Sequence, residues 1–347
     1  MSRSSCVLAT LAWLVAVSCC AFGQTTDQPA PAKVTVGNLS ITNDAAIFIA
    51  DAKGYFTAEG IDVSLSTFRS ASDMVPLLGS GQLDVGAGSP SAGLYNAILR
   101  GIKIRIVADK AYSPPGYGPL SLLIRKDLID SGRFRTLGDL KGLKLAMTAP
   151  GVVNMATLNT ALKSVGLGYG DVDTVNLPFP DHPVALANKA VDGGVTAEPF
   201  ATIAVERGMA VSFKRDDEID PGHQLGCLLF SDAFATDRPD VAIRFLRAYL
   251  NGSRYYNLAL KDGRLAGDNA DEVVAILAKY TSVKNPALLR KITPAGLHPD
   301  GRLNIDSLQR DFDFYASQGL IQGRLLIRDI VDETLLNAAV KGLSAAR

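Results

Sequence analysis

Between residues 34 and 109 the chain changes its hydrophobic period every ten residues or so, and this alternation restricts the fold more than any other feature. "KVTVGN" alternates Val34 and Val36 like one face of a strand. "NDAAIFIADAKG" then takes helical spacing, with Asn43 or Asp44 able to cap it and Gly54 able to close it. Residues 61–68 alternate again, and Ser70 with Asp73 makes a capping-box pair ahead of a helix that stops near Gly79. "QLDVGAG" is a third strand; Ser89 is placed as N-cap and Pro90 as first residue of a helix to about Arg100. Residues 102–109 are a fourth strand. The order β-α-β-α-β-α-β with short connections predicts a parallel sheet with helices on both faces.

"AYSPPGYGPL" (111–120) interrupts this rhythm with the densest Pro/Gly cluster after the N-terminal region and marks a lobe boundary. A second α/β series follows. "LSLLIRKDL" is a strand, "LKLAM" another, and "GVVNMATLNTALKSVGL" a helix with Met155, Leu158, Leu162 and Val165 on its core face. "VDTVNL" and "MAVSFK" are further strands, "LGCLLFS" one more, and the last third is mostly helical. Two α/β lobes in tandem are expected, with the helical C-terminal part packed on one of them.

Residues 1–23 stand apart. An early Arg3, an uncharged apolar run and a small-residue end predict a secretory signal peptide cleaved near Gly23, followed by a linker over 24–33 and a periplasmic location. Lipid anchoring at Cys19 or Cys20 is the lesser expectation, because the residues before them make a poor lipobox. Beyond this segment only Cys227 remains, so no internal disulfide is available and the exported fold relies on its core. Basic and acidic residues balance at 35 each, with no run of like charge, which argues against a nucleic-acid partner.

The stretch "DVGAGSPSAG" (84–93) invites three enzymatic readings, and its spacing rejects each. The third glycine is two residues late for a dinucleotide fingerprint, no lysine makes a P-loop, and neither Ser89 nor Ser91 has the flanking glycines of a hydrolase elbow. What remains is a turn at a strand's carboxyl end whose glycines let another molecule approach, and whose helix N–H groups suit an anion. An ordinary capped helix is the better explanation of one such turn taken alone. Three sibling helix starts exist, however: "SITNDA" (40–45), "TAPGVVN" (148–154) and "PFPDHP" (178–183). Facing lobes carrying such turns form a cleft for a small anion. Arg69 and Lys110 at strand ends are candidate cations, His182 sits in one of the helix starts, and Glu198 after a short strand is a candidate cleft acid. His182, His223 and His298 share no ligand spacing with one another or with Cys227, so neither a metal nor a cofactor is expected.

"GYFTAEGIDVSLSTF" (54–68), "LLGSGQLDVGAGSPSAGL" (77–94), "TLGDLKGLKLAM" (136–147) and "DGRLNIDSLQRDFDFYASQGLI" (300–321) together resemble the nitrate, sulfonate and taurine branch of ABC-transporter substrate-binding proteins, the NMT1/THI5-like or SsuA-like group. The resemblance implies a type II periplasmic-binding-protein fold: lobe one over 34–117, lobe two over 118–213, a hinge and ligand cleft between them, and 214–347 returning to lobe one with the C-terminal helices. It implies ligand contacts from Ser40, Thr42, Asn43 and Asp44, from Ser89, Pro90 and Ser91, and from Thr148, Gly151, Val152 and Asn154. Arg69, His182 and Glu198 join this set on the physical grounds above. It also implies a monomer that delivers a ligand to a permease and an ATPase. A small organic anion, a sulfonate or carboxylate with aromatic acids included, is the expected ligand, bound without chemistry. The alternatives are an enzyme on the same fold, of the thiamine-pyrimidine synthase or menaquinone-pathway lyase kind, and a ligand-presenting partner of a membrane sensor.

Overall fold

The strands are divided between two five-stranded sheets. The computed structural model describes residues 30–345; the expected signal peptide, its cleavage point and most of the linker lie outside the described residues. In the first sheet, β1 (Ala32–Asn38) lies between β2 (Ile61–Thr67) and β3 (Val85–Gly88), parallel to both. The period-two pattern at Val34 and Val36 buries both side chains completely. The fourth strand, β4 (Ile104–Ser113), does not join this parallel set. A late strand, β10 (His223–Ser231), lies between β3 and β4 and is antiparallel to both.

The expected all-parallel sheet is thereby corrected. Its cause is topological. The chain leaves the first sheet at the end of β4 and returns through β10, and strands that leave and return between the same two bodies run in opposite directions. β4 is also four residues longer than expected at its end, running through Lys110 to Ser113.

The second sheet has the order β7-β6-β8-β5-β9, built from β5 (Leu120–Arg125), β6 (Lys144–Met147), β7 (Asp173–Asn176), β8 (Gly193–Ala197) and β9 (Ala210–Arg215). β6 is parallel to β7 and β8, whereas β5 is antiparallel to β8 and β9. Residues 126–128, expected to extend β5, instead open a short helix, Lys126–Asp130. The Met155, Leu158 and Leu162 side chains are buried as expected, but Val165, beyond the end of helix Val153–Lys163, is 41% exposed.

Two short segments, 114–119 and 216–222, connect the sheets. Carboxylates stitch them together. Asp216 Oδ1 accepts the Leu120 N–H at 2.9 Å, and Asp217 Oδ2 accepts the Gly116 N–H at 2.8 Å. The C-terminal helices pack on both faces of the first sheet. Helix Pro239–Leu258 starts with proline at its first turn, where a missing N–H costs nothing. Its Phe245, Leu246 and Tyr249 join Val34, Ile47 and Phe48 in one core cluster. Helix Ile305–Ser317 sends Phe312 and Tyr315 to a second cluster with Tyr95, Ile106 and Leu229. Each such side chain, fully buried, stabilises the fold by about 1.5–3 kcal/mol before entropy is counted.

Candidate functional site

A cavity of about 40 Å³ lies between the sheets, walled by residues that follow β1, β2, β3, β6 and β7 together with parts of β4, β8 and β10. This is the carboxyl edge of the parallel strands, where open α/β sheets place ligands. Leu39, Ile41, Leu120, Val152, Phe179 and Leu225 make most of its wall apolar. Its polar side chains are few: Asn43, Arg69, Ser70, Ser89, Lys110 and Thr148.

The charges there are unequal. Lys110 is 3% exposed, and its Nζ stands 2.6 Å from Asp44 Oδ1, itself wholly buried. Asp44 Oδ2 also accepts the N–H groups of Leu39 and Ile41, each at 3.1 Å, and so shapes the turn after β1. The Lys110 charge is thus balanced inside the protein. A buried pair of this kind tolerates loss of one partner poorly, because the survivor is left as an uncompensated charge. Arg69 is exposed, and makes no ion pair among the described residues. Asn43 is 7% exposed, and neither atom of its side-chain amide has a hydrogen-bond partner among the described residues.

Of the residues nominated from sequence, Asn43, Arg69, Ser89, Thr148 and Val152 meet at this cavity. The others are engaged elsewhere. Ser40, at φ 54°, donates from Oγ to the Tyr280 carbonyl at 3.1 Å. Thr42 Oγ1 donates to the Glu198 carbonyl at 3.3 Å. Pro90 is buried and stays outside the helix. Ser91, not Ser89, is the N-cap of helix Ala92–Leu99, accepting the Leu94 N–H on its Oγ at 3.2 Å. The expected cap shifts by two residues: Ser91 takes the extended backbone of an N-cap, φ −130° and ψ 162°, and the helix begins at Ala92. Gly151 presents its carbonyl to the Ala92 N–H at 2.8 Å. Asn154 is fully buried; its Nδ2 donates to the Val195 carbonyl and its Oδ1 accepts from Thr148 Oγ1, both at 3.3 Å.

His182 and Glu198 are not among the lining residues. The His182 ring is fully buried, with Nδ1 2.8 Å from Thr196 Oγ1 and Nε2 2.9 Å from the Leu177 carbonyl. Burial pushes its pKa down to about 4, so it is neutral and structural at pH 7. The Glu198 carboxyl accepts from Thr202 N at 3.0 Å, Thr202 Oγ1 at 2.9 Å and Thr293 N at 3.2 Å. It faces a separate open groove of about 630 Å³ beside Arg264 and Thr293. Burial raises its pKa to about 6, against the pull of those hydrogen bonds. Phe179, inside the helix start "PFPDHP", is a wall residue that nothing in the local sequence singles out, and the Asp44–Lys110 pairing has no sequence signal at all.

Among the described residues, no group of three His, Cys, Asp or Glu side chains is placed to hold a metal ion. The cavity instead offers a small, mostly apolar space, with the exposed Arg69 at its edge and the Asn43 amide on its wall.

The comparisons with known proteins agree with this architecture. The model of the NMT1-like family matches residues 27–278. A 4-amino-5-hydroxymethyl-2-methylpyrimidine phosphate synthase from Aspergillus parasiticus is 27% identical over 228 residues, covering 61% of this chain and 62% of its own length. The chain thus spans about three fifths of the curated relatives it matches. The ligand-binding component of an ABC-type import system from Staphylococcus aureus, with zinc bound, superposes with a TM-score of 0.72 at 17% identity, over 89% of this chain and 99% of that one. The alkanesulfonate-binding protein from Xanthomonas axonopodis pv. citri, bound to MOPS, gives 0.70 at 18%, over 88% and 99%. At these identities the likeness establishes the periplasmic-binding-protein fold; the bound zinc and MOPS belong to those proteins.

Proposed function

The chain belongs to the NMT1-like family, and from that premise we propose that it is a periplasmic solute-binding protein that captures a small carboxylate or sulfonate between its lobes and delivers it to an ABC permease and ATPase. One observation carries the reading: Arg69, a cation with no ion-pair partner among the described residues, lines a cavity whose other positive group, Lys110, is already paired with Asp44. An anion entering there gains a charge-assisted hydrogen bond without displacing an existing ion pair. The apolar walls hold the rest of the molecule, and lobe closure removes the site from water.

A second reading is an enzyme acting on a pyrimidine, in keeping with the names of the curated relatives. The unpartnered Asn43 amide supports it, since a donor and an acceptor side by side suit the edge of a heteroaromatic ring. Calorimetry and thermal shift with acetate, methanesulfonate and 4-amino-5-hydroxymethyl-2-methylpyrimidine separate the two. The anion reading expects one of the acids to raise the melting temperature, and Arg69→Ala to weaken its binding at least tenfold. Stabilisation by the pyrimidine alone, unaffected by Arg69→Ala, refutes it.

A further inference from the structure

Ala92 and Gly151 meet where the two lobes touch, next to the cavity-lining Val152. Ala92 is the first residue of helix Ala92–Leu99 in lobe one, and Gly151 lies two residues ahead of helix Val153–Lys163 in lobe two. The Ala92 N–H, one of the free donors of its helix start, is used by the Gly151 carbonyl at 2.8 Å. Gly151 has φ +63°, a left-handed backbone that disfavours any side chain. A Cβ added there would stand 2.3 Å from the Ala92 Cβ and 3.3 Å from its nitrogen. The backbones therefore approach as closely as a glycine facing an alanine permits. Other bonds between the lobes accompany the Ala92–Gly151 hydrogen bond: Thr42 Oγ1 to the Glu198 carbonyl, the Thr293 N–H to Glu198 Oε1, and the Lys291–Glu206 ion pair. Met155 and Ala156, one turn into the lobe-two helix, pack in the same cluster as Ala92 and Leu94.

We propose that the Ala92–Gly151 contact is the closure stop of the cleft: it sets how near the lobes come, and hence the largest ligand the closed protein encloses. With the contact made, the cavity measures about 40 Å³. A larger ligand is held only with the lobes further apart and the Ala92–Gly151 hydrogen bond broken. The pair thus selects by size without touching the ligand, whereas Arg69 and Asn43 act by contact. This inference rests on the two-lobed fold and is independent of the ligand's chemical class.

Small-angle X-ray scattering of the purified chain, alone and with acetate or methanesulfonate, tests it in whichever condition gives the smaller radius of gyration. Gly151→Ala and Ala92→Val both insert methyl groups into the contact, and both are expected to increase the radius of gyration. The double variant Gly151→Ala with Ala92→Gly removes the opposing Cβ and is expected to return towards the wild-type value. Ala92→Val keeps the backbone of residue 151 intact, so it carries the test if Gly151→Ala does not fold, as judged by circular dichroism. Unchanged scattering from the folded single variants overturns the proposal. So does a folded double variant no nearer wild type than Gly151→Ala alone.

Discussion

Asp216 is wholly buried where the chain crosses between the sheets. Its Oδ1 accepts the Leu120 N–H, while its Oδ2 has no hydrogen-bond partner among the described residues. Burial raises its pKa to about 7. Because the folded value stands above the unfolded one, the stability tied to this group is complete below about pH 4 and is lost as the pH rises through about 7. Asp216→Asn keeps the acceptor for Leu120 and removes the charge. Melting curves from pH 5.5 to 8 are expected to fall more steeply for wild type than for the variant, with the variant more stable at pH 8 by at most about 4 kcal/mol. Parallel pH profiles would show that the carboxyl is not protonated on folding. Asp109 and Glu198, raised by burial to about 7 and about 6, act with the same sign, so the variant retains a slope. His182 acts oppositely. Its folded pKa is depressed, so its share of stability is present above about 6.5 and is lost as the pH falls through about 4.

Among the elements, helix Ala92–Leu99 is the most instructive. Its cap, Ser91, was nominated as a ligand contact, but its hydroxyl is occupied by the Leu94 N–H and its side chain is 1% exposed. Ser91→Ala is therefore expected to cost about 1 kcal/mol in urea unfolding and to leave ligand affinity within twofold. A tenfold loss of affinity with unchanged stability would make Ser91 a binding residue after all. The same helix marks how far sequence reaches. That a helix starts after "DVGAG" is local information, written in glycines, serines and a proline. The Gly151 carbonyl that takes its first N–H comes from a segment about sixty residues away. β4 is similar. Its apolar alternation is legible to Asp109, but Lys110 reads only as a strand-end cation, a candidate for the ligand, until Asp44 stands opposite it. The cleft edge was legible as four helix starts because strand-end turns have their own composition. Which side chains enter the cavity was not, because lobe–lobe contacts and internal hydrogen bonds claim many of them.

At the scale of the molecule, two sheets are joined by two short crossings, and the crossings are held to each other by Asp216 and Asp217. This arrangement lets the lobes move as units about a narrow connection while the C-terminal helices stay with the first sheet. The placement of β10 between β3 and β4 has a consequence in time as well as space. The five strands of the second sheet lie in one continuous stretch, 120–215, whereas the first sheet lacks its inner strand until residues 223–231 are available. Pairing across so long a loop is slow, because chain entropy is lost before any contact compensates it. During refolding, the second sheet is expected to assemble while β3 and β4 still wait with unpaired edges. Pulsed hydrogen exchange reads this directly: protection of β5–β9 amides before those of β3 and β4 is the expected order, and the reverse order would rule it out. The strand that returns from the hinge is thus also the last strand of the first sheet, so that sheet is finished only by a chain that already carries all five strands of its partner.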